Sequence, residues 1–320
     1  MILSINTVMV RINALGLSAV VAGTAILASG CTAAATTATP GAVAAIAVVT
    51  TNSIIADWVR QVGRDRVDVF PLLPVGSDPH TFQPGARDVT RVADADLVFS
   101  IGLNLEGAWL DDLVRNAASG PDALAALGEA IEPLEIGGQQ DEDGPFDPHF
   151  WFDPLRVQRA VSDIEARLSL VDPRGEETYA ANAASYNRGL DDLHEWTLEQ
   201  VAQVSPERRK LVTSHDSLRY FAQRYGFEVV GTIIPGVTTE LDPSAAEMAK
   251  LSDAIQAQQV PAIFTETTMS DRLARSLAEE TGVRVIRALY TGSLDEPGTG
   301  ADTYLAMIRT NITVIVEALK

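Results

Sequence analysis

The sequence predicts an α/β protein of two lobes with mostly parallel sheets, joined by one long helix, with its ligand site in the cleft between the lobes. Three observations lead there. Short apolar runs alternate with amphipathic helical patterns in both halves of the chain, the order that builds parallel sheets. Between those halves, residues 176–204 contain no proline and one glycine, Gly189; at ~1.5 Å per residue this helix runs roughly 40 Å, enough to cross a two-lobed protein. Three of the four histidines fall in loops or at strand ends, one in the first half, one before the long helix and one after it.

The elements follow in order. Residues 45–49 read as a short buried strand and 53–62 as an amphipathic helix. In 66–73 (RVDVFPLL), Val67 and Val69 alternate with Asp68 and Phe70, and Pro71 marks an edge or a strand end. A loop marked by Pro and Gly leads to a short helix over 86–93, a buried strand over 96–101 (DLVFSI) and a helix over 107–118. Residues 137–146 (GGQQDEDGPF) break the pattern as a polar, acidic loop. The next helix, 154–170, carries Val157, Val161, Ile164 and Leu168 at spacings of three and four and stops near Asp172-Pro173. Beyond the long helix, which Pro206 closes, strands at 210–213, 227–234, 262–265 and 283–289 alternate with helices at 217–225, 244–258, 271–281 and 303–319. The domain reading is a first lobe over 45–172, a linking helix over 173–206 and a second lobe over 207–320.

Before the first strand lies a targeting segment. Residues 1–31 hold one charged side chain, Arg11, and an apolar run of thirteen residues, 15–27. That is short of the roughly 20 residues that span a bilayer and has the size of a signal-peptide core. It ends Leu27-Ala28-Ser29-Gly30-Cys31. Small residues before a lone cysteine resemble a bacterial lipobox, in which Cys31 is lipidated and becomes the new N-terminus; cleavage elsewhere as an ordinary secretory peptide is the alternative. Met1 and Met9 both serve as candidate starts. Residues 32–44, small and of low complexity, read as a tether. The expected location is extracytoplasmic, lipid-anchored to the bacterial cell membrane.

Composition narrows the function. The chain has 320 residues, 46% hydrophobic and 21% charged, which excludes wholesale disorder. Its net charge of −19 repels phosphate backbones and argues against nucleic acid as a partner. With a single cysteine, no internal disulfide framework exists.

The histidines carry the chemistry. His80 lies in a loop after a strand, His149 just before a helix, and His215 at a strand end of the second lobe. Ligands of open α/β sheets gather beyond the carboxyl ends of strands, so these three are placed to converge on one cleft. Neutral imidazole is a good ligand for Zn²⁺ and related ions. Their separations carry no local metal motif. His194 sits mid-helix and reads as part of a solvated face. Phe150, Trp151 and Phe152 read as packing behind the site.

Five stretches carry a resemblance: DPHTFQP (78–84), DPHFWFDP (147–154), VTSHDSLRYFAQRYGF (212–227), FTETTMSDRLARSLAEETG (264–282) and LYTGSLDEPGTGADTYLAMIRTN (289–311). In this order, over nearly all of 45–320, the chain resembles the TroA-like family of metal-binding substrate-binding proteins of ABC transporters. The resemblance implies two α/β lobes on a long helix, metal ligands at His80, His149 and His215, and partnership with an ABC permease and its ATPase. It implies a preference for zinc, because manganese-type members usually carry Glu at the position of His215. Nitrogen donors point the same way. The family commonly has Asp at the position of Gly292, which lacks a donor side chain. The fourth ligand is therefore open between water, Asp295 and Glu266, with Glu266 better suited to accept the free N–H of a ligating imidazole. With water there, an aspartate at 292 is expected to tighten binding unless Gly292 holds a positive φ. The acidic residues Asp141, Glu142 and Asp143 read as a solvated loop.

The leading expectation is a monomeric, non-enzymatic binding module that captures Zn²⁺, with Mn²⁺ second, and delivers it to a permease. The alternative is a zinc hydrolase with three histidines, an open water position and Glu266 as base; against it, no HExxH or GxSxG motif occurs. Cys31→Ser is expected to move the protein from the membrane fraction to the soluble fraction, as read by fractionation and immunoblotting. Unchanged membrane retention would refute the lipid anchor.

Overall fold

The structure, a computed structural model, describes residues 45–117, 124–136 and 144–320. The leader, Cys31, the tether and Asp141–Asp143 lie outside the described residues. The first sheet contains β1 (Ile46–Thr50), β2 (Val67–Pro71), β3 (Leu97–Ser100) and β4 (Leu124–Ala126), all parallel, in the order β2-β1-β3-β4. The second contains β5 (Lys210–Thr213), β6 (Glu228–Thr232), β7 (Ala262–Glu266) and β8 (Arg284–Leu289), also parallel, in the matching order β6-β5-β7-β8. In each sheet the chain departs from the central strand first to one side and then to the other. That puts a topological switch point between β1 and β3 and another between β5 and β7, at their carboxyl ends.

Helices cover the sheets: α1 (Ser53–Gly63), α2 (Ala86–Ala93) and α3 (Gly107–Ala117) in the first lobe, then α6 (Arg219–Tyr225), α7 (Ala245–Gln258) and α8 (Arg272–Thr281) in the second. The middle of the chain is α4 (Pro154–Val171) and the 26-residue α5 (Glu176–Val201), and the chain ends in α9 (Tyr304–Leu319). Local chemistry sets the boundaries. Asn52 caps α1 by accepting from Ile55 N at 3.0 Å, and Asp153 caps α4 by accepting from Leu155 N at 3.1 Å with Pro154 in the first turn. Ser244 and Glu247 form a capping box on α7. Gly226, at φ 72°, ends α6 in the left-handed conformation that glycine adopts without strain.

Each predicted element has an observed counterpart, with ends displaced by a few residues at most. The omission is β4, whose three residues, Leu-Ala-Ala, carry no periodicity or β-branched signal. The buried strands behave as parallel strands covered on both faces should: all four residues of β3 and all five of β7 are buried.

Helix α5 buries Tyr179, Ala183, Tyr186, Leu190, Leu193, Thr197 and Val201, a stripe at spacings of three and four that packs on α4, α1 and α9. The largest apolar cluster continues from Ile46 in β1 through α4 and α5 to Leu319 in α9, so both lobes share one core. Buried polar ties reinforce it. Asp57 in α1 accepts from Tyr304 N at 3.0 Å, Tyr186 Oη at 3.4 Å and Gln61 Nε2 at 3.1 Å. Burial pushes its carboxyl above the usual range, and those hydrogen bonds offset part of the shift. Asp153, buried at the start of α4, is gripped by Arg224 of α6 through Nε at 3.0 Å and Nη2 at 2.7 Å.

Asp153→Ala removes the α4 cap and leaves Arg224 without its partner. Because Arg224 stays partly exposed, the expected loss is about 2–3 kcal/mol, below the range for a fully buried pair. Chemical denaturation with an unchanged m-value checks it, and a loss under about 1 kcal/mol would show that this tie is peripheral.

Candidate metal centre

Three histidines meet between the carboxyl ends of the two sheets. His215 lies two residues beyond β5, and Glu266 closes β7, so the pair straddles the switch point of the second sheet. Glu266 Oε1 accepts from His215 N at 3.1 Å and pairs with His215 Nδ1 at 2.9 Å, while Oε2 accepts from Thr291 Oγ1 at 2.5 Å. His149 precedes a 3₁₀ turn, Phe150–Phe152. Asp147 Oδ1 accepts from His149 N and pairs with its Nδ1, both at 2.9 Å. His80 sits in the loop after β2, where Asp78 Oδ1 accepts from His80 N at 3.0 Å and Oδ2 accepts from Thr239 Oγ1 of the second lobe at 2.5 Å.

A carboxylate at Nδ1 makes that nitrogen the protonated one in a neutral ring, which leaves Nε2 as a bare acceptor. The Nε2 atoms of His149 and His215 are 3.2 Å apart, and His80 Nε2 is buried without a hydrogen-bond partner. One nitrogen from each ring lies within 4.8 Å of the others. A tetrahedral Zn²⁺ with bonds of about 2.0–2.1 Å spaces its donors by about 3.3 Å, so the observed separation suits a shared cation. The rings wall a cavity of ≈ 10 Å³ with Trp151, Thr291 and Gly292, the room of about one water or ion.

Electrostatics divides the three. Burial pushes the His80 imidazole well below its ordinary 6.5, and the charges of His149 and His215 push it further. Burial, then the charge of His215, does the same to His149. Burial also works downwards on His215, but the charge of Glu266 and its hydrogen bond outweigh it and raise the pKa. For Glu266 burial works upwards, and the charge and hydrogen bonds of His215 with that of Thr291 hold it below the usual range. Burial lifts Asp147 to about 6, against the His149 N–H.

The remaining residues singled out in the sequence take these positions. Asp295 does not join the cluster among the described residues: Oδ2 accepts from Tyr290 Oη at 2.7 Å and Oδ1 from Glu296 N at 2.8 Å. Glu266 has both oxygens engaged behind His215, which removes it as the free base of a hydrolase. Gly292 is not among the residues with positive φ. Its constraint is close approach: a Cβ there would stand 2.8 Å from Pro79 Cδ of the other lobe, so an aspartate needs the rigid proline to move. His194 is half-buried rather than solvated, with Nδ1 3.0 Å from Tyr225 Oη. The aromatic trio is buried; Trp151 packs edge-on to His149 at 5.1 Å between centroids.

Sequence reasoning missed Asp147, Asp78, Thr291 and the Trp151 indole, which donates to Thr291 O at 2.9 Å. A signal for the first two was present. Asp-Pro-His occurs twice, at 78–80 and 147–149, and in both copies the aspartate accepts from the histidine N–H two residues on, an Asx turn. Thr291 and Trp151 act across long sequence separations and leave no local pattern.

Two parallel-sheet lobes on one long helix, with buried nitrogen donors converging between them, define the class: a binding protein that captures a cation. The chain belongs to the family described as ZnuA, zinc-uptake complex component A, periplasmic, whose model matches residues 48–318. It is a substrate-binding protein of a metal ABC transporter and not an enzyme. It is 32% identical over 295 residues, 92% of this chain and 95% of the relative, to the manganese-binding lipoprotein MntA of Halalkalibacterium halodurans. Identity is 31% over 276 residues, 85% and 88% of the two chains, with the manganese ABC transporter substrate-binding lipoprotein PsaA of Streptococcus pneumoniae. Among solved structures, the periplasmic zinc-binding protein TroA of Treponema pallidum superposes with a TM-score of 0.79 at 30% identity, covering 85% of this chain and 98% of that one.

In the metal-free protein, NMR titration should give His80 and His149 midpoints below 6.5 and a His215 midpoint above it. The depressed pair subtracts stability as pH falls through 6.5, where the unfolded chain takes up protons first. His215 works oppositely: it contributes stability below 6.5 that is lost as pH rises through its folded pKa. Glu266→Gln should lower the His215 midpoint. Three overlapping midpoints, or a His215 midpoint that Glu266→Gln leaves in place, would contradict this division.

Proposed function

We propose that this chain captures a single divalent transition-metal ion outside the membrane on His80, His149 and His215, with Zn²⁺ preferred over Mn²⁺, and passes it to an ABC permease driven by an ATPase. The observation that carries this reading is the convergence of three ring nitrogens within 4.8 Å, each from a different segment of the chain. Zinc is favoured because imidazole nitrogen is the donor offered, whereas Mn²⁺ prefers oxygen. The relatives named above include both manganese-binding and zinc-binding proteins, so the names alone do not choose. Lipoprotein relatives support Cys31 as the membrane anchor.

Metal binding needs all three rings neutral. Burial already keeps His80 and His149 so. His215 holds its proton to a higher pH than a free histidine, so competition starts there. Affinity therefore falls by up to about tenfold per pH unit as pH drops below the His215 pKa, one proton being released for each ion bound. That onset lies above the pH of about 6 that unperturbed histidines imply.

Isothermal titration with competing chelators tests the assignment. His80→Ala, His149→Ala and His215→Ala should each weaken Zn²⁺ binding by at least about 100-fold, and His194→Ala by less than about threefold. Equal losses in all four, or a wild-type preference for Mn²⁺ over Zn²⁺, would overturn the site or the metal respectively.

A further inference from the structure

The chain enters its first sheet at the end away from the histidines. The described residues begin at Ala45, and β1 starts at Ile46, which pairs in register with Val67 at the start of β2. The histidines and a cleft of ≈ 660 Å³ between the lobes, lined by His80, Trp109 and Leu241 among others, lie at the opposite, carboxyl ends of the strands. β1 separates the two ends by about 17 Å, at ~3.3 Å for each of its residues.

The turn between α4 and α5 sits at the entry end. Arg66, the residue before β2, donates from Nε to Asp172 Oδ2 at 2.9 Å and to Tyr179 Oη at 3.3 Å, which holds the turn against the start of the sheet. Two neighbouring apolar side chains of this turn stand uncovered. Leu170 is 78% exposed, the highest value for a large apolar side chain among the described residues, and Val171 is 43% exposed. Pro173 beside them is exposed too. Charges around them alternate in sign, Arg64, Asp65 and Arg66 on one side and Asp172, Arg174 and Glu176 on the other. In a chain of net charge −19, such a balanced end meets an anionic bilayer without the full repulsion that the whole chain carries.

The tether limits what this turn can meet. Residues 32–44 join Cys31 to Ala45, so a bilayer holding Cys31 is never farther from the entry end than that stretch reaches, about 45 Å at ~3.5 Å per residue. Groups joined by so short a linker meet at an effective concentration in the millimolar range, which populates a contact too weak to hold a free protein.

We propose that the α4–α5 turn, through Leu170, Val171 and Pro173, rests in the headgroup region of the bilayer that holds the lipid anchor, with the cleft turned away from the membrane and open to incoming ions. This rests on the reading of Cys31 as lipidated. No described helix is long and apolar enough to cross a membrane, and the contact is peripheral and reversible. The tether's reach exceeds the depth of the sheet, so the same anchor lets the chain turn over and present its cleft to a permease.

The test uses the full chain, purified with its lipid and reconstituted into vesicles of phosphatidylethanolamine and phosphatidylglycerol that carry nitroxide-labelled phospholipid. Cys31 is the chain's single cysteine and the lipid blocks it, so Val171→Cys or Leu241→Cys takes one environment-sensitive fluorophore, at the turn or at the cleft. The label at Val171→Cys should be quenched several-fold more strongly than the same label at Leu241→Cys, and Leu170→Asp in the same chain should remove most of that difference. Leu170 is so exposed that this substitution spares the fold. Equal quenching at the two positions, none at the turn, or quenching at the turn that Leu170→Asp leaves unchanged would overturn the proposal. A wild-type chain recovered without lipid and left outside the vesicles would sink the Cys31 reading and this inference with it.

Discussion

Two imidazole Nε2 atoms facing each other at 3.2 Å in a cavity with room for about one water form an arrangement that neutral rings do not adopt by preference. Their lone pairs repel, and each ring, if free, would turn to find a donor. What holds them is behind them. Asp147 and Glu266 fix the far nitrogens of His149 and His215 and, through the same oxygens, the backbone N–H of each histidine, so ring and main chain are clamped together. This strain-like crowding of acceptors is released only when a proton or a cation sits between them. That is a physical reason for the site to be selective for positive charge before any question of which metal arises.

The clamp works because of where the strands end. Parallel sheets with the order 2-1-3-4 leave two neighbouring carboxyl ends unobstructed by crossover helices, and β5 and β7 use that gap to deliver His215 and Glu266 side by side. The first lobe supplies its histidines differently. His80 and His149 come from irregular segments, each pinned by an Asx turn in an Asp-Pro-His run, where proline limits the backbone and aspartate accepts the histidine N–H. Rigid placement from loops is thus achieved by local hydrogen bonds, and from the sheet by topology.

The alternation of apolar runs and amphipathic helices made the fold legible, because both signals are local: a buried parallel strand is a short apolar run, and a helix that covers it has a 3.6-residue stripe. β4 escaped because its three residues, Leu-Ala-Ala, gain their strand identity only from pairing with β3. The histidines were legible from composition, being only four, and from their place at loop and strand ends. The resemblance carried the step from candidates to proposed ligands. What stayed hidden was everything that acts through tertiary contacts. Nothing in the local sequence says that Tyr290 takes Asp295 away from the cavity, that Trp151 donates to Thr291 O, or that Gly292 is small because Pro79 lies against it rather than because its backbone is left-handed.

That last contact bears on movement as well as on ligation. The shared core, with Asp57 joining α1, α5 and α9 and the Asp153–Arg224 pair joining α4 to α6, opposes any wide separation of the sheets. A hinge that opened the cleft by rotating whole lobes would expose buried apolar surface and break these ties together. The His80 segment is held more lightly. It belongs to the stretch between β2 and α2 that has no regular structure, and its bonds to the second lobe are few: Asp78 with Thr239, and Gly76 N with Ser293 Oγ at 3.0 Å. Its Pro79 touches a glycine, the residue with least to interlock. Of the three histidines, His80 is therefore the most lightly held, and it lines both the cavity and the cleft. His149 and His215 are clamped by buried carboxylates and are held more firmly.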